Sequence, residues 1–145
     1  QFYSYKVAKQ YIQPETEAIK YGKVLHEAFE LYIRDGKELP PDFLRFKPLL
    51  DKLNSIDGTK YAEYEMALNN DLQPTGFKDA DVFVRGIADL LIVDGDTAWV
   101  ADYKSGSAKY PEKKQLELMA LMIFAHFPEV QLVRGALLFF HHDVL

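Results

Sequence analysis

Apolar residues first recur along this chain at helical intervals. Ile19, Gly22, Leu25, His26, Phe29 and Ile33 follow an i, i+3/i+4 rhythm, which predicts one buried helix face. Pro14, Glu15 and Glu17 suit the start of that helix, because proline is tolerated in a first turn and acids are favoured there. Asp35-Gly36 marks its end. Pro40-Pro41 opens a loop, and Phe43 to Leu53 reads as a second, short helix. From Tyr61 the pattern changes. Tyr61 to Leu68 predicts a strand, Asn69 to Asp81 a polar loop, and Val82 to Val93, rich in β-branched residues, a long strand. Asp94-Gly95-Asp96-Thr97 is a strong hairpin turn, and Ala98 to Lys104 is the return strand. Ser105-Gly106-Ser107 breaks it. Pro111 to Phe127 predicts a helix with Leu116, Met119, Ala120, Ile123 and Phe127 on one stripe. Val130 to His141 predicts a last apolar strand. The order of helix, three strands, helix and strand predicts a mixed α/β layer fold.

Composition narrows the classes. A chain of 145 residues, 48% hydrophobic and 14% aromatic, suffices for one domain with a real core. It has no cysteine, which excludes disulfides, thiolate zinc sites, cysteine nucleophiles and cysteine-held iron–sulfur clusters. That fits a reducing cytosol. No apolar run reaches the roughly 20 residues of a membrane helix, and no signal peptide is visible. The chain opens on Gln1 rather than Met and stops after an apolar run, so both ends are expected to be trimmed. A net charge of −5 argues against a general nucleic-acid coat protein. It is compatible with an enzyme that meets DNA through a metal. Lysines cluster at Lys6, Lys9, Lys20 and Lys23, and at Lys104, Lys109, Lys113 and Lys114, and both groups read as solvated faces.

The chemistry is concentrated at the hairpin. A two-residue turn at Gly95-Asp96 pairs Asp94 with Thr97, and the same register brings Asp89 opposite Asp102. Side chains alternate with period two, so the two acids are expected on one face, with Lys104 beside Asp102. Facing carboxylates repel unless positive charge lies between them, and a buried acid on an apolar strand is costly without it. A divalent cation answers both costs, and oxygen ligands point to Mg²⁺ or Mn²⁺. The competing reading is a structural Asp–Lys pair on a half-exposed sheet. His26, on an apolar helix face, reads by itself as a hydrogen-bonded core histidine. Gly22, one turn earlier, allows close approach of the helix. Glu63 and Glu65 share a strand face, so either suits a supporting role. Gln115 reads equally as a residue reaching back to the strand or as surface polarity. There is no phosphate-cradling glycine loop, Gly-x-Ser-x-Gly elbow or His-Glu-x-x-His pair, and the adjacent His141-His142 point apart as strand neighbours.

Together, Gly22-x-x-x-His26, Ala62-Glu63, Gly86-Ile87-Ala88-Asp89, Asp102-Tyr103-Lys104-Ser105-Gly106 and Gln115-x-x-x-Met119 form an ordered set across most of the chain. In that set the sequence resembles the PD-(D/E)XK nuclease superfamily, in particular its RecB-like exonuclease branch with CRISPR-associated and phage members, the phage type being closest. The resemblance implies a restriction-endonuclease-like αβββαβ core and a metal-dependent DNA exonuclease using one or two Mg²⁺ or Mn²⁺ ions. It implies that His26, Asp89, Asp102 and the carbonyl of Tyr103 ligate the metal. Lys104 would orient or polarise the attacking water, and Glu63, preferred over Glu65, and Gln115 would assist. For a phage-encoded protein it implies the bacterial host cytoplasm, with recombination or replication proteins as partners. Three positions depart from the pattern: Ala88 replaces the naming proline, Asp102 stands where glutamate is equally common, and Met119 replaces a frequent tyrosine. A nuclease-fold module that binds DNA or partners without cutting is the alternative.

Overall fold

The protein's structure is a computed structural model, and it describes residues 17–104 and 112–140. The first helical rhythm becomes α1 (Glu17–Asp35). Leu25 and Phe29 on its inner face are fully buried. Gly36 ends the helix in the left-handed region (φ 70°), where glycine carries no Cβ penalty, and its N–H closes onto the Tyr32 carbonyl at 3.0 Å. The single short helix expected over Phe43 to Leu53 is instead two pieces, a 3₁₀ helix (Pro41–Phe46) and α2 (Lys47–Asn54). The break falls where Pro48, which has no N–H to donate, enters the first turn of α2. The Tyr32 hydroxyl donates to Asp51, which also pairs with Lys47, and this ties α1 to α2.

Four strands form one sheet in the order β1 (Thr59–Asn69), β2 (Val82–Asp94), β3 (Thr97–Lys104), β4 (Leu132–Phe139). The first three are antiparallel neighbours. α3 (Glu112–His126) crosses over to bring β4 parallel to β3. A right-handed α crossover is the ordinary way to join parallel strands, and it leaves the helix packed on one sheet face. Two apolar layers result. α3 contributes Met119, Met122 and Ile123 to a core with Met66, Leu68, Ala88, Leu91 and Val100. On the opposite face α1, the 3₁₀ helix and α2 supply Leu25, Phe29, Phe43 and Leu50, packed with Leu90, Ile92, Ala101 and Tyr103. The mixed α/β architecture expected from the sequence is the one observed. Among the described residues no helix is long and apolar enough to cross a membrane.

The hairpin is the one the turn chemistry demands. Asp94 pairs with Thr97, and Gly95 takes φ 61°, as a two-residue turn of this twist requires. At the same end of β2, on its other edge, Gly58 enters β1 at φ 130°, and a Cβ there would sit 2.7 Å from the backbone oxygen of Val93. A backbone atom cannot swing away. Gly58→Ala is therefore expected to cost about 2 kcal/mol, the scale of a forced backbone conformation, read as a lower melting temperature.

Strict alternation fails at one place. Tyr61 and Tyr64 both pack on the α3 side, against each other and Phe127, although they are three residues apart. Between them Glu63 adopts φ 55°, a left-handed conformation rarely taken by a non-glycine residue. The partner strand shows the same slip. Ala88 and Leu91 both face α3, with Asp89 and Leu90 between them on the α1 side. The flanking pairs Ala62↔Leu90 and Tyr64↔Ala88 keep their register, so Glu63 and Asp89 occupy the matching kinks of two neighbouring strands.

Candidate active site

β2 and β3 stay paired from the turn as far as Leu90↔Ala101. Beyond it β2 continues along β1, while β3 runs on beside β4, so the sheet forks at Asp89 and Asp102. The expected register therefore holds to the edge of the site. The expected single face does not. Asp89 is met by His26 of α1, and Asp102 by Gln115 of α3, which pack on opposite sides of the sheet. The kink at residues 88–90 moves Asp89 off the face that unbroken alternation assigns it. The carboxyl groups still come together in the opening between the strands, where Asp102 acts directly on Asp89.

Both acids are buried, each only 7% exposed, and they are the only buried charged side chains among the described residues. Their oxygens are shared among named partners. The Tyr103 N–H donates to Asp89 Oδ2 at 2.6 Å, so a carboxylate takes a backbone amide at the fork. His26 Nε2 lies 3.3 Å from the same oxygen. Lys104 Nζ lies 2.8 Å from Asp102 Oδ2, and Gln115 Nε2 donates to that oxygen at 3.0 Å. Burial pushes the Asp89 carboxyl up to about 7, with Asp102 adding to the rise and His26 opposing it. His26 moves the other way from a buried histidine. Burial lowers it, but its bond to Asp89 and the charge of both aspartates carry it up to about 9. Burial holds the proton on Asp89, and the two aspartates together hold the one on His26.

His26 is oriented from behind. Its Nδ1 is 2.8 Å from the Gly22 carbonyl one turn earlier, an acceptor that calls for hydrogen on Nδ1 and leaves Nε2 directed at Asp89. The core-histidine reading is thus half right: the ring is anchored on its own helix, yet its other nitrogen faces the acids. Of the glutamate pair, Glu65 is exposed and Glu63 half buried. Burial raises the Glu63 carboxyl above its usual range, with Glu30 and Asp102 adding to the rise and His26 lowering it. Glu63 is therefore the one within electrostatic reach of the site. Glu30 was not singled out from the sequence, although it stands one turn after His26 on the same helix. The Tyr103 side chain is buried against Phe29, Phe140 and the His26 ring, and burial pushes its hydroxyl well above the usual range.

Met119 is a core residue, 2% exposed against the sheet, and makes no surface for a substrate. Lys20, Lys23 and Lys114 are exposed, as expected of solvated faces. The start of the first helix at Pro14, and Lys6, Lys9, Ser105, Gly106, Ser107, Lys109 and the His141-His142 pair, lie outside the described residues.

Two carboxylates and an imidazole nitrogen are donors that Mg²⁺ or Mn²⁺ accepts. No ready-made cage of three His, Asp or Glu side chains stands among the described residues. The oxygens are instead occupied by the imidazole, the ammonium, the Gln115 amide and the Tyr103 N–H. The fit is one of chemistry: buried, mutually repelling acids with a tautomer-fixed histidine turned toward them. A family model described as the PD-(D/E)XK nuclease superfamily matches residues 2–142. No curated protein matches the chain.

Proposed function

This chain belongs to the PD-(D/E)XK nuclease superfamily, and from that premise we propose that it is a Mg²⁺- or Mn²⁺-dependent DNA exonuclease of the RecB-like, phage type. The observation that carries the reading is the meeting of buried Asp89 and Asp102 at the fork, with Lys104 Nζ 2.8 Å from Asp102 and His26 Nε2 3.3 Å from Asp89. His26, Asp89, Asp102 and the Tyr103 carbonyl would hold the metal. When bound, a divalent cation supplies charge neutralisation at phosphoryl oxygens and a water of lowered pKa.

The chain's own residues do the rest. Lys104 is 30% exposed along its side chain, enough for its ammonium to face solvent and substrate while remaining on Asp102. There it orients the attacking water and places fixed positive charge where negative charge grows on the phosphoryl group. Hydrolysis forms a new P–O bond to that water and breaks the P–O bond to the leaving sugar oxygen, which takes up a proton. Gln115 and the Tyr103 N–H fix the two carboxylates in place. Glu63, in its kink opposite Asp89, supports the site by its charge. A module that only bound DNA would have no use for an ammonium on the second acid, which disfavours the non-cutting alternative.

End-labelled linear DNA and closed circular DNA, digested side by side with Mg²⁺ or with a chelator, test the reading. Loss of end label from the linear form, an intact circle, and no reaction with chelator are expected. A nicked or linearised circle would make the enzyme an endonuclease, and digestion that survives chelation would remove the metal.

A further inference from the structure

β2 extends past the fork toward its N-terminal end, and there its α1-side face is open. Val84 and Ala88 point into the α3-side core, and Gly86 between them is buried. The alternate residues form an outward row. Phe83 is 57% exposed and Ile87 is 37% exposed, with Arg85 between them. Arg85 is held against the ring of Phe77, its guanidinium carbon 5.2 Å from the ring centre. The next position in this row is Asp89. An aromatic ring, a guanidinium and an aliphatic side chain thus lead in steps of about 7 Å, two strand residues at a time, to the proposed reacting centre.

Exposed Phe and Ile on a sheet face cost solubility, and nothing in the fold covers them among the described residues. The charge around the row decides what suits it. Glu65 stands opposite Ile87, and Asp79 and Asp81 lie in the loop before β2. These acids repel the phosphates of paired and unpaired strands alike, but a duplex turns only phosphates and sugars outward, whereas a single strand can turn its base faces to the row. Flat apolar and guanidinium surfaces suit the faces of unpaired bases, and stacking needs no net charge.

We propose that Phe83, Arg85 and Ile87 form a stacking track for the unpaired bases of a single-stranded DNA end, leading its backbone to Asp89. The proposal rests on the nuclease reading and narrows it: single-stranded DNA, or duplex with a frayed or overhanging end, is preferred to blunt duplex.

Binding and chemistry can be read separately. Affinity is measured by fluorescence anisotropy with a short labelled single strand and with a blunt duplex, in Ca²⁺ to suppress cleavage. Chemistry is measured as hydrolysis of a dinucleotide phosphodiester, too short to reach Phe83. Wild type is expected to bind the single strand more tightly than the duplex. Phe83→Ala is expected to weaken single-strand binding about tenfold, the scale of one lost base stack. Duplex binding, dinucleotide hydrolysis and melting temperature should not change, since Phe83 is exposed. Phe83→Trp should restore the single-strand affinity. Unchanged single-strand binding by Phe83→Ala, or equal weakening for both ligands, overturns the track. Wild type that fails to hydrolyse the dinucleotide would count against the nuclease reading, while the anisotropy result would still decide the track.

Discussion

Lys104→Ala is expected to lose about 10²- to 10³-fold in turnover while still binding Mn²⁺, the scale of removing one preorganised charge from a developing anion. The ammonium sits 2.8 Å from Asp102 Oδ2, so it is held in the site by the same acid assigned to the metal. Its removal leaves both aspartates, His26 and the Gln115 bond intact. Asp102 then loses one positive neighbour, which favours a cation rather than opposing it. Metal affinity should hold, and the loss should fall on kcat more than on KM. Steady-state cleavage beside a Mn²⁺ titration of the same protein checks this. Near wild-type turnover in Lys104→Ala would remove the lysine from the mechanism, and a parallel loss of Mn²⁺ binding would make it a structural partner of Asp102.

The second large effect concerns Asp89. Asp89→Asn is expected to abolish detectable cleavage and to melt a few degrees higher than wild type when both are metal-free. The first follows from losing a ligand. The second follows from burial. In the folded protein the Asp89 carboxyl is raised to about 7 by burial and by Asp102, so above its ordinary range ionisation costs folding free energy, and the cost grows as pH rises toward 7. A neutral amide of nearly the same shape escapes that cost and can still accept the Tyr103 N–H. The order should invert with Mn²⁺, which stabilises only the protein that binds it. Thermal melts of both proteins with and without Mn²⁺ give four numbers. A metal-free Asp89→Asn protein less stable than wild type would show that the carboxylate is a net structural asset, as the ion-pair reading of the sheet requires.

What the sequence disclosed follows how local each signal is. The hairpin register was legible because Asp94-Gly95-Asp96-Thr97 specifies its own turn, and that register carries the pairing to Leu90↔Ala101, one residue short of Asp89 and Asp102. The helices at either end were legible from their apolar rhythm, though α1 and α3 reach the acids from opposite sides, which no periodicity states. The single-face expectation failed at the kink of residues 88–90 in β2, which lies against the kink at Glu63 in β1. A positive φ at a glutamate has no sequence signature, because no glycine marks it, and it reverses the alternation on which the faces were counted. The kink leaves Glu63 half buried near Asp102 while Glu65 is exposed, a difference that spacing leaves open. The second helix is split because Pro48 can open a helical run but not continue one. The open row at Phe83, Arg85 and Ile87 read from sequence only as part of a long strand. Its exposure depends on which end of the sheet the helices cover, which a strand pattern does not state.

The central claim is that the opening between β2 and β3 is built for a divalent cation. Calorimetric titration of Mn²⁺ into wild type and Asp89→Asn tests it most directly. Saturable binding by wild type, with protons released as the metal replaces them, and none by Asp89→Asn is the predicted result. Equal heats from the two proteins, or none from either, would contradict it.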